Sequence, residues 1–142
     1  MSPSIALFIG ALMSKAPELA DNPQVTCIAE NIYYEARAEP LEGLFAVAEV
    51  TNNRVASKVF KPNTHCGIIY QPYQFSWTKH KYKVREHALW DRAVAIATVT
   101  YHFGNVTEVV PDALFFHSGK PLGYHSRLKY IKQIGGHRFY SL

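Results

Sequence analysis

Glu35 is the carboxylate whose setting in this sequence invites chemistry. In residues 25–40, V-T-C-I-A-E-N-I-Y-Y-E-A-R-A-E-P, apolar side chains recur at Val25, Ile28, Ala29, Ile32 and Ala36, the spacing of one helix face. At about 100° per residue Glu35 falls within about 20° of Ile28, whereas Glu30 and Arg37 turn to the opposite side and read as solvated. A carboxylic acid held against apolar and aromatic neighbours resists ionisation, and a proton retained near neutral pH can be given to a leaving group. Breaking a glycosidic bond needs such a donor, and a way to manage positive charge at the anomeric carbon. The same position also suits a core-edge Glu bonded to backbone or to an arginine, so periodicity alone leaves both readings open.

Other side chains are candidates for binding. Residues 73–78 form an aromatic loop in which Tyr73, Phe75 and Trp77 can stack on sugar faces while Gln74 and Ser76 offer hydrogen bonds. At least one of Phe75 and Trp77 is expected to anchor the loop in the core instead. His117 after a short strand, and His137 and Tyr140 after a glycine pair, are equally suited to binding or to structure. Glu39 and Glu42 are the carboxylates nearest Glu35 in sequence, but at a helix corner they also suit capping of the next helix. Seven His and two Cys raise the question of zinc. There is no H-E-x-x-H, no His pair four residues apart and no C-x-x-C, so no metal and no cofactor is expected.

The elements that must position these groups are legible in outline. The Glu35 helix follows Asp21-Asn22-Pro23 and should stop at about Ala38 or Glu39, because the residue before Pro40 avoids the helical region. A buried second helix spans residues 40–57, with Asn53 and Arg54 near its end; Arg54 is expected to pair with a carboxylate such as Glu39. Thr64 can cap a short helix over 65–70, and a third long helix runs over 86–103 to Gly104-Asn105. Residues 114–117 read as a strand, and 129–134 with 137–140 as a hairpin, whose Gly135-Gly136 pair would supply the positive φ angles of a primed turn. The apolar run at 5–13 is too short to span a membrane and makes a poor secretory signal; it reads as a first helix, capped by Ser2 or Ser4, with Pro3 in its first turn.

Composition frames these readings. The 142 residues suit one domain, and 48% hydrophobic with 18% charged residues is the balance of an ordered globular chain. A net charge of +4 favours anionic polymers, whether nucleic acid or bacterial wall, without choosing between them. Residues 79–85, K-H-K-Y-K-V-R, are the most basic stretch: a grip on such a polymer or a solvated loop. Cys27 sits beside the apolar stripe, where a thiol behaves as a small hydrophobe, so Cys27 and Cys66 are expected to be free.

Several motifs then coincide. Residues 32–43, I-Y-Y-E-A-R-A-E-P-L-E-G, followed by Ala46-Val47-Ala48 and Asn53-Arg54-Val55, resemble the SleB/CwlJ-type cell-wall hydrolases, the family of spore-cortex lytic enzymes and many phage lysis proteins. So do residues 65–72, H-C-G-I-I-Y-Q-P, with Gln74-Phe75-Ser76-Trp77, the strand at 113–117, and I-G-G-H-R-F-Y at 134–140. The chain departs from the pattern at Tyr34 and Ala38, where the family commonly has Gly.

The resemblance implies an α+β fold: one mainly helical, lysozyme-like and transglycosylase-like domain over residues 1–142, with 1–24 a helix and connector and a small antiparallel hairpin or sheet near the C-terminus. It further implies cleavage of peptidoglycan between N-acetylmuramic acid and N-acetylglucosamine, with Glu35 as the catalytic residue. Because no nucleophile stands out, a lytic transglycosylase is favoured, one Glu acting first as acid and then as base. A muramidase with a Glu35-directed water, a zinc amidase cutting the peptide stem, and a nucleic-acid-binding module using residues 79–85 are the alternatives. With no convincing export signal and no separate wall-binding domain, the sequence looks more like a phage endolysin than a spore enzyme. Such a protein would be a monomer made in the host cytoplasm, without stable membrane insertion or a nucleic-acid partner, and would act on the wall; a virion-associated enzyme fits equally.

Overall fold

The computed structural model of the chain describes residues 3–123 and 126–142. Helix α1 (Pro3–Lys15) begins at Pro3 and includes Ser4; Ser2, the other expected cap, lies outside the described residues. Helix α2 (Pro23–Ala36) starts where Asn22 Oδ1 accepts the Gln24 N–H at 2.8 Å and Pro23 fills the first helical position. It ends at Ala36, short of the expected Ala38 or Glu39: residues 37–39 turn ahead of Pro40, closed by the Glu39 N–H on the Ala36 carbonyl at 2.9 Å. Helix α3 (Leu41–Ser57) is buried along most of its length, α4 (His65–Ile69) is capped by Thr64 Oγ1 accepting the Gly67 N–H at 2.9 Å, and α5 (His87–Phe103) ends at Gly104 with φ +82°.

Helices α2, α3 and α5 pack on one another around Ile28, Ile32, Phe45, Val47 and Ile96, and α4 closes against α2 and α3. Strands β1 (Phe115–Ser118), β2 (Lys129–Ile134) and β3 (His137–Ser141) form an antiparallel sheet in the order β1-β3-β2, Phe116 opposite Phe139 and Ile134 opposite His137. At the hairpin only Gly135 takes a positive φ, +54°. At Gly136 a Cβ would stand 2.9 Å from Glu39 Oε1, the end of a side chain that would have to shift.

Asn53 and Arg54 tie α3 to the segment leading into the first strand. Asn53 Nδ2 donates to the Ala113 carbonyl at 2.9 Å and Arg54 Nε to the Leu114 carbonyl at 2.7 Å. Arg54 does not pair with Glu39. Its guanidinium lies among the rings of Phe60, Phe75 and Phe115 and donates to Gln74 Oε1 at 3.0 Å; burial pushes its pKa down to about 10.

The cysteines are bonded, not free. Packing of α4 on α2 brings Cys66 to Cys27 with a Cα separation of 5.2 Å, closing a loop of 39 residues. The chain-entropy account gives such a loop about 4 kcal/mol of stabilisation. Replacing both cysteines with Ala is therefore expected to lower the melting temperature by roughly 10 °C in thermal denaturation, at neutral pH and without reductant.

Candidate active site

Glu35 lies in the last turn of α2, half-buried, and its carboxylate makes no hydrogen bond or ion pair with any described residue. With no compensating partner, burial pushes its pKa above the usual carboxylate range. It stands at the junction of two clefts. One, of about 400 Å³, is lined by Tyr34, Arg37, Trp77, His80 and Tyr82; the other, of about 360 Å³, by Tyr73, Gln74, Phe75, Phe116, His117 and Ser118. Ser76 belongs to both, and among the residues lining them Glu35 is the only carboxylate.

The aromatic loop divides its labour. Phe75 and Trp77 turn inward: Trp77 Nε1–H donates to Asn31 Oδ1 at 3.1 Å and its ring stacks on Tyr34 at 4.9 Å, while Phe75 packs beside Phe116. Only their edges reach the clefts. Tyr73, 89% exposed with φ +70°, stands free at the rim with Lys79 Nζ 4.8 Å from its ring centroid. The bond from Arg54 holds Gln74, so a buried arginine that touches neither cleft positions a residue that does.

His117 lines the second cleft. Its Nδ1–H donates to the Ser118 carbonyl at 2.9 Å, and its Nε2 is hydrogen-bonded with the Tyr140 hydroxyl at 3.0 Å. Tyr140 is buried beneath it, with the two rings stacked. Glu39 and His137 also lie away from the clefts. Both Glu39 oxygens accept the Gly136 N–H, at 3.0 and 3.2 Å, and His137 is buried with Nδ1 4.0 Å from Glu39 Oε1. Desolvation lowers the His137 pKa, while the Glu39 charge acts against that.

The structure thus brings together Glu35, Tyr73, Gln74, Phe75, Ser76, Trp77 and His117, and sets Glu39, His137 and Tyr140 behind them. Arg37, Phe116 and Ser118 join the clefts without having been candidates, as do Tyr34, noted only as a departure from the family pattern, and His80 and Tyr82, which belong to the basic stretch 79–85. Glu30 is not solvated: its carboxylate accepts from the Tyr70 hydroxyl and from Lys81 Nζ, each at 2.9 Å.

A family model described as Cell Wall Hydrolase matches residues 38–140. The chain belongs to the cell wall hydrolase family. This cell wall hydrolase is 32% identical over 135 residues to the spore cortex-lytic enzyme of Oceanobacillus iheyensis, a match covering 87% of the chain and 43% of that relative. A stretch of that length cannot begin after Glu35. To the spore cortex-lytic enzyme of Bacillus subtilis it is 38% identical over 66 residues, 46% of the chain and 21% of the relative. The chain thus spans less than half the length of these curated relatives. Among solved structures, the catalytic domain of the germination-specific lytic transglycosylase SleB from Bacillus anthracis superposes with a TM-score of 0.59 at 31% identity, over 83% of this chain and 93% of that one. The catalytic domain of the Bacillus cereus SleB protein gives 0.60 at 30% identity, over 83% and 89%. The mainly helical fold with its small C-terminal sheet is the fold of those domains.

Proposed function

We propose that this cell wall hydrolase cleaves peptidoglycan between N-acetylmuramic acid and N-acetylglucosamine as a lytic transglycosylase, with Glu35 as its one acid and base. The observation that carries this reading is the unpartnered, half-buried Glu35 carboxyl between two clefts, with no second carboxylate lining either. Sugars on both sides of the scissile bond place its oxygen beside Glu35. The Glu35 proton passes to that oxygen as the bond to the anomeric carbon breaks. The resulting carboxylate then takes the proton of the 6-hydroxyl on the same muramic acid, whose oxygen closes on the anomeric carbon to give a 1,6-anhydro end without water. Tyr73, Gln74, Ser76 and His117 bind the strand, with the edges of Phe75 and Trp77 as cleft floor; Glu39, His137 and Tyr140 contribute by holding the hairpin and His117 in place. The kinship with SleB domains supports the same chemistry.

The rate should depend on the protonated form of Glu35. As pH rises through the raised Glu35 pKa, kcat/KM is expected to fall, with the descending limb on the alkaline side of an ordinary carboxylate titration. A pH–rate profile on soluble glycan strands measures this.

The setting we propose is phage lysis, the enzyme being made in the host cytoplasm and working as a monomer on the wall beyond the membrane. The Cys27–Cys66 bridge supports an oxidising place of action. Among the described residues no helix is long and apolar enough to cross a membrane. Digestion of purified sacculi with and without a strong chelator tests the reaction class: glycan fragments released at an equal rate support the reading, and chelator-sensitive release of free stem peptides contradicts it in favour of a zinc amidase.

A further inference from the structure

Beside the Glu35 cleft lies a third cavity of about 360 Å³, which shares Tyr34, Arg37 and Tyr82 with it and adds Tyr33, Lys83, Arg85 and Glu86. Its outer wall comes from the irregular segment 82–86, the end of a stretch in which every second residue from Lys79 to Arg85 is basic. Two of those four cations are occupied elsewhere: Lys79 lies over the Tyr73 ring, and Lys81 pairs with Glu30 at 2.9 Å. Arg37, just after α2, is paired with Glu86 at 2.9 Å. Lys83 and Arg85 line the cavity, and their side chains make no hydrogen bond or ion pair with a described residue. The cavity therefore carries two uncompensated positive charges.

The wall is also held in place before anything binds. The Tyr34 hydroxyl donates to the Tyr82 carbonyl, the Tyr33 hydroxyl accepts the N–H groups of Arg85 and Glu86 at 3.4 and 3.3 Å, and Val84 packs on the core. A cavity with tyrosine walls, two free cations and a fixed backbone is suited to an anionic group on a short, partly apolar chain. The N-acetylated sugars of the glycan carry no charge where the lactyl carboxyl of muramic acid is amide-bonded to its peptide. The peptide stem on each muramic acid does, as carboxylates, and it leaves the strand beside the scissile bond, as this cavity lies beside the Glu35 cleft. We infer that the cavity bounded by Tyr33, Tyr34 and Tyr82 binds a stem-peptide carboxylate through Lys83 and Arg85. The inference rests on the glycan-cleaving reading for its substrate and adds the part of that substrate the second site recognises.

A disaccharide-peptide with N-acetylglucosamine at the non-reducing end lacks the muramic acid–glucosamine bond, so it reports binding alone. Calorimetric titration of the protein is expected to show it binding about tenfold more tightly than the same disaccharide with its lactyl carboxyl capped as a simple, uncharged amide. The pair Lys83→Ala with Arg85→Ala should bring the two ligands to parity, and Lys83→Glu with Arg85→Glu should reverse the preference. Equal affinities in the wild type, or an undiminished preference in the alanine pair, would overturn the inference. So would tight binding of a short DNA duplex through these residues with no preference among muropeptides. Sacculus digestion reads the other claim separately: intact sacculi with a peptide preference retained would sink glycan cleavage and leave stem recognition standing.

Discussion

Glu35→Gln is expected to slow glycan release from sacculi by about a thousandfold while the protein stays folded. The amide keeps the shape of the carboxyl but can neither protonate the leaving oxygen nor take the 6-hydroxyl proton, and no other carboxylate lines the clefts to substitute for it. Loss of activity through unfolding is separable because the stability effect has the opposite sign. A carboxyl whose folded pKa lies above its unfolded value stabilises the fold fully only below the unfolded pKa, and that contribution is lost as pH rises through the folded pKa. Above the unfolded pKa the half-buried, unpartnered Glu35 carboxyl therefore opposes folding, and glutamine removes that cost. Thermal melts at pH 7 should show the variant at least as stable as the wild type, with the difference vanishing in acid. A site that lowers the stability of its own fold is the usual cost of a poised catalytic acid.

Glu49→Ala is expected to have the largest effect on stability. Glu49 is 1% exposed in the middle of α3, and its carboxylate accepts the Thr107 hydroxyl at 2.6 Å and the N–H groups of Val109 and Val110 at 3.2 and 3.1 Å. Alanine would leave a hydroxyl and two backbone donors without a partner in a closed space, at about 1–3 kcal/mol each, for a loss of about 5 kcal/mol. Chemical denaturation should show the midpoint falling with the slope unchanged. Glu49→Gln keeps an acceptor oxygen and should lose less than half as much. Because Glu49 anchors the segment before β1, activity should fall only in proportion to the unfolded fraction.

Glu35 and Glu49 also show what a sequence can reveal. Glu35 was legible because its setting is local: the seven-residue step from Ile28 places it on the apolar face whatever the rest of the chain does. Helix ends at Asn22, Thr64 and Gly104 were legible for the same reason, as capping chemistry is written within a few residues. Glu49, Arg54 and Glu30 were not legible, since their partners come from tens of residues away and a charged side chain on a helix reads as solvated until the opposing segment is in place. The disulfide escaped likewise: Cys27 on the edge of an apolar stripe suits a thiol or a bridge, and only the docking of α4 against α2 decides between them. In the aromatic loop the alternation of Tyr73, Phe75 and Trp77 was visible, but the inward turn of Phe75 and Trp77 depends on Phe116 and on Asn31, far away in sequence.

The measurement that bears most directly on Glu35 as sole acid and base is mass spectrometry of the muropeptides released from purified sacculi by the wild type and by Glu35→Gln. The account predicts anhydro-ended fragments, lighter by one water than their reducing-end counterparts, from the wild type and next to none from the variant. Reducing ends from the wild type, free stem peptides, or undiminished release by a folded Glu35→Gln protein would contradict it.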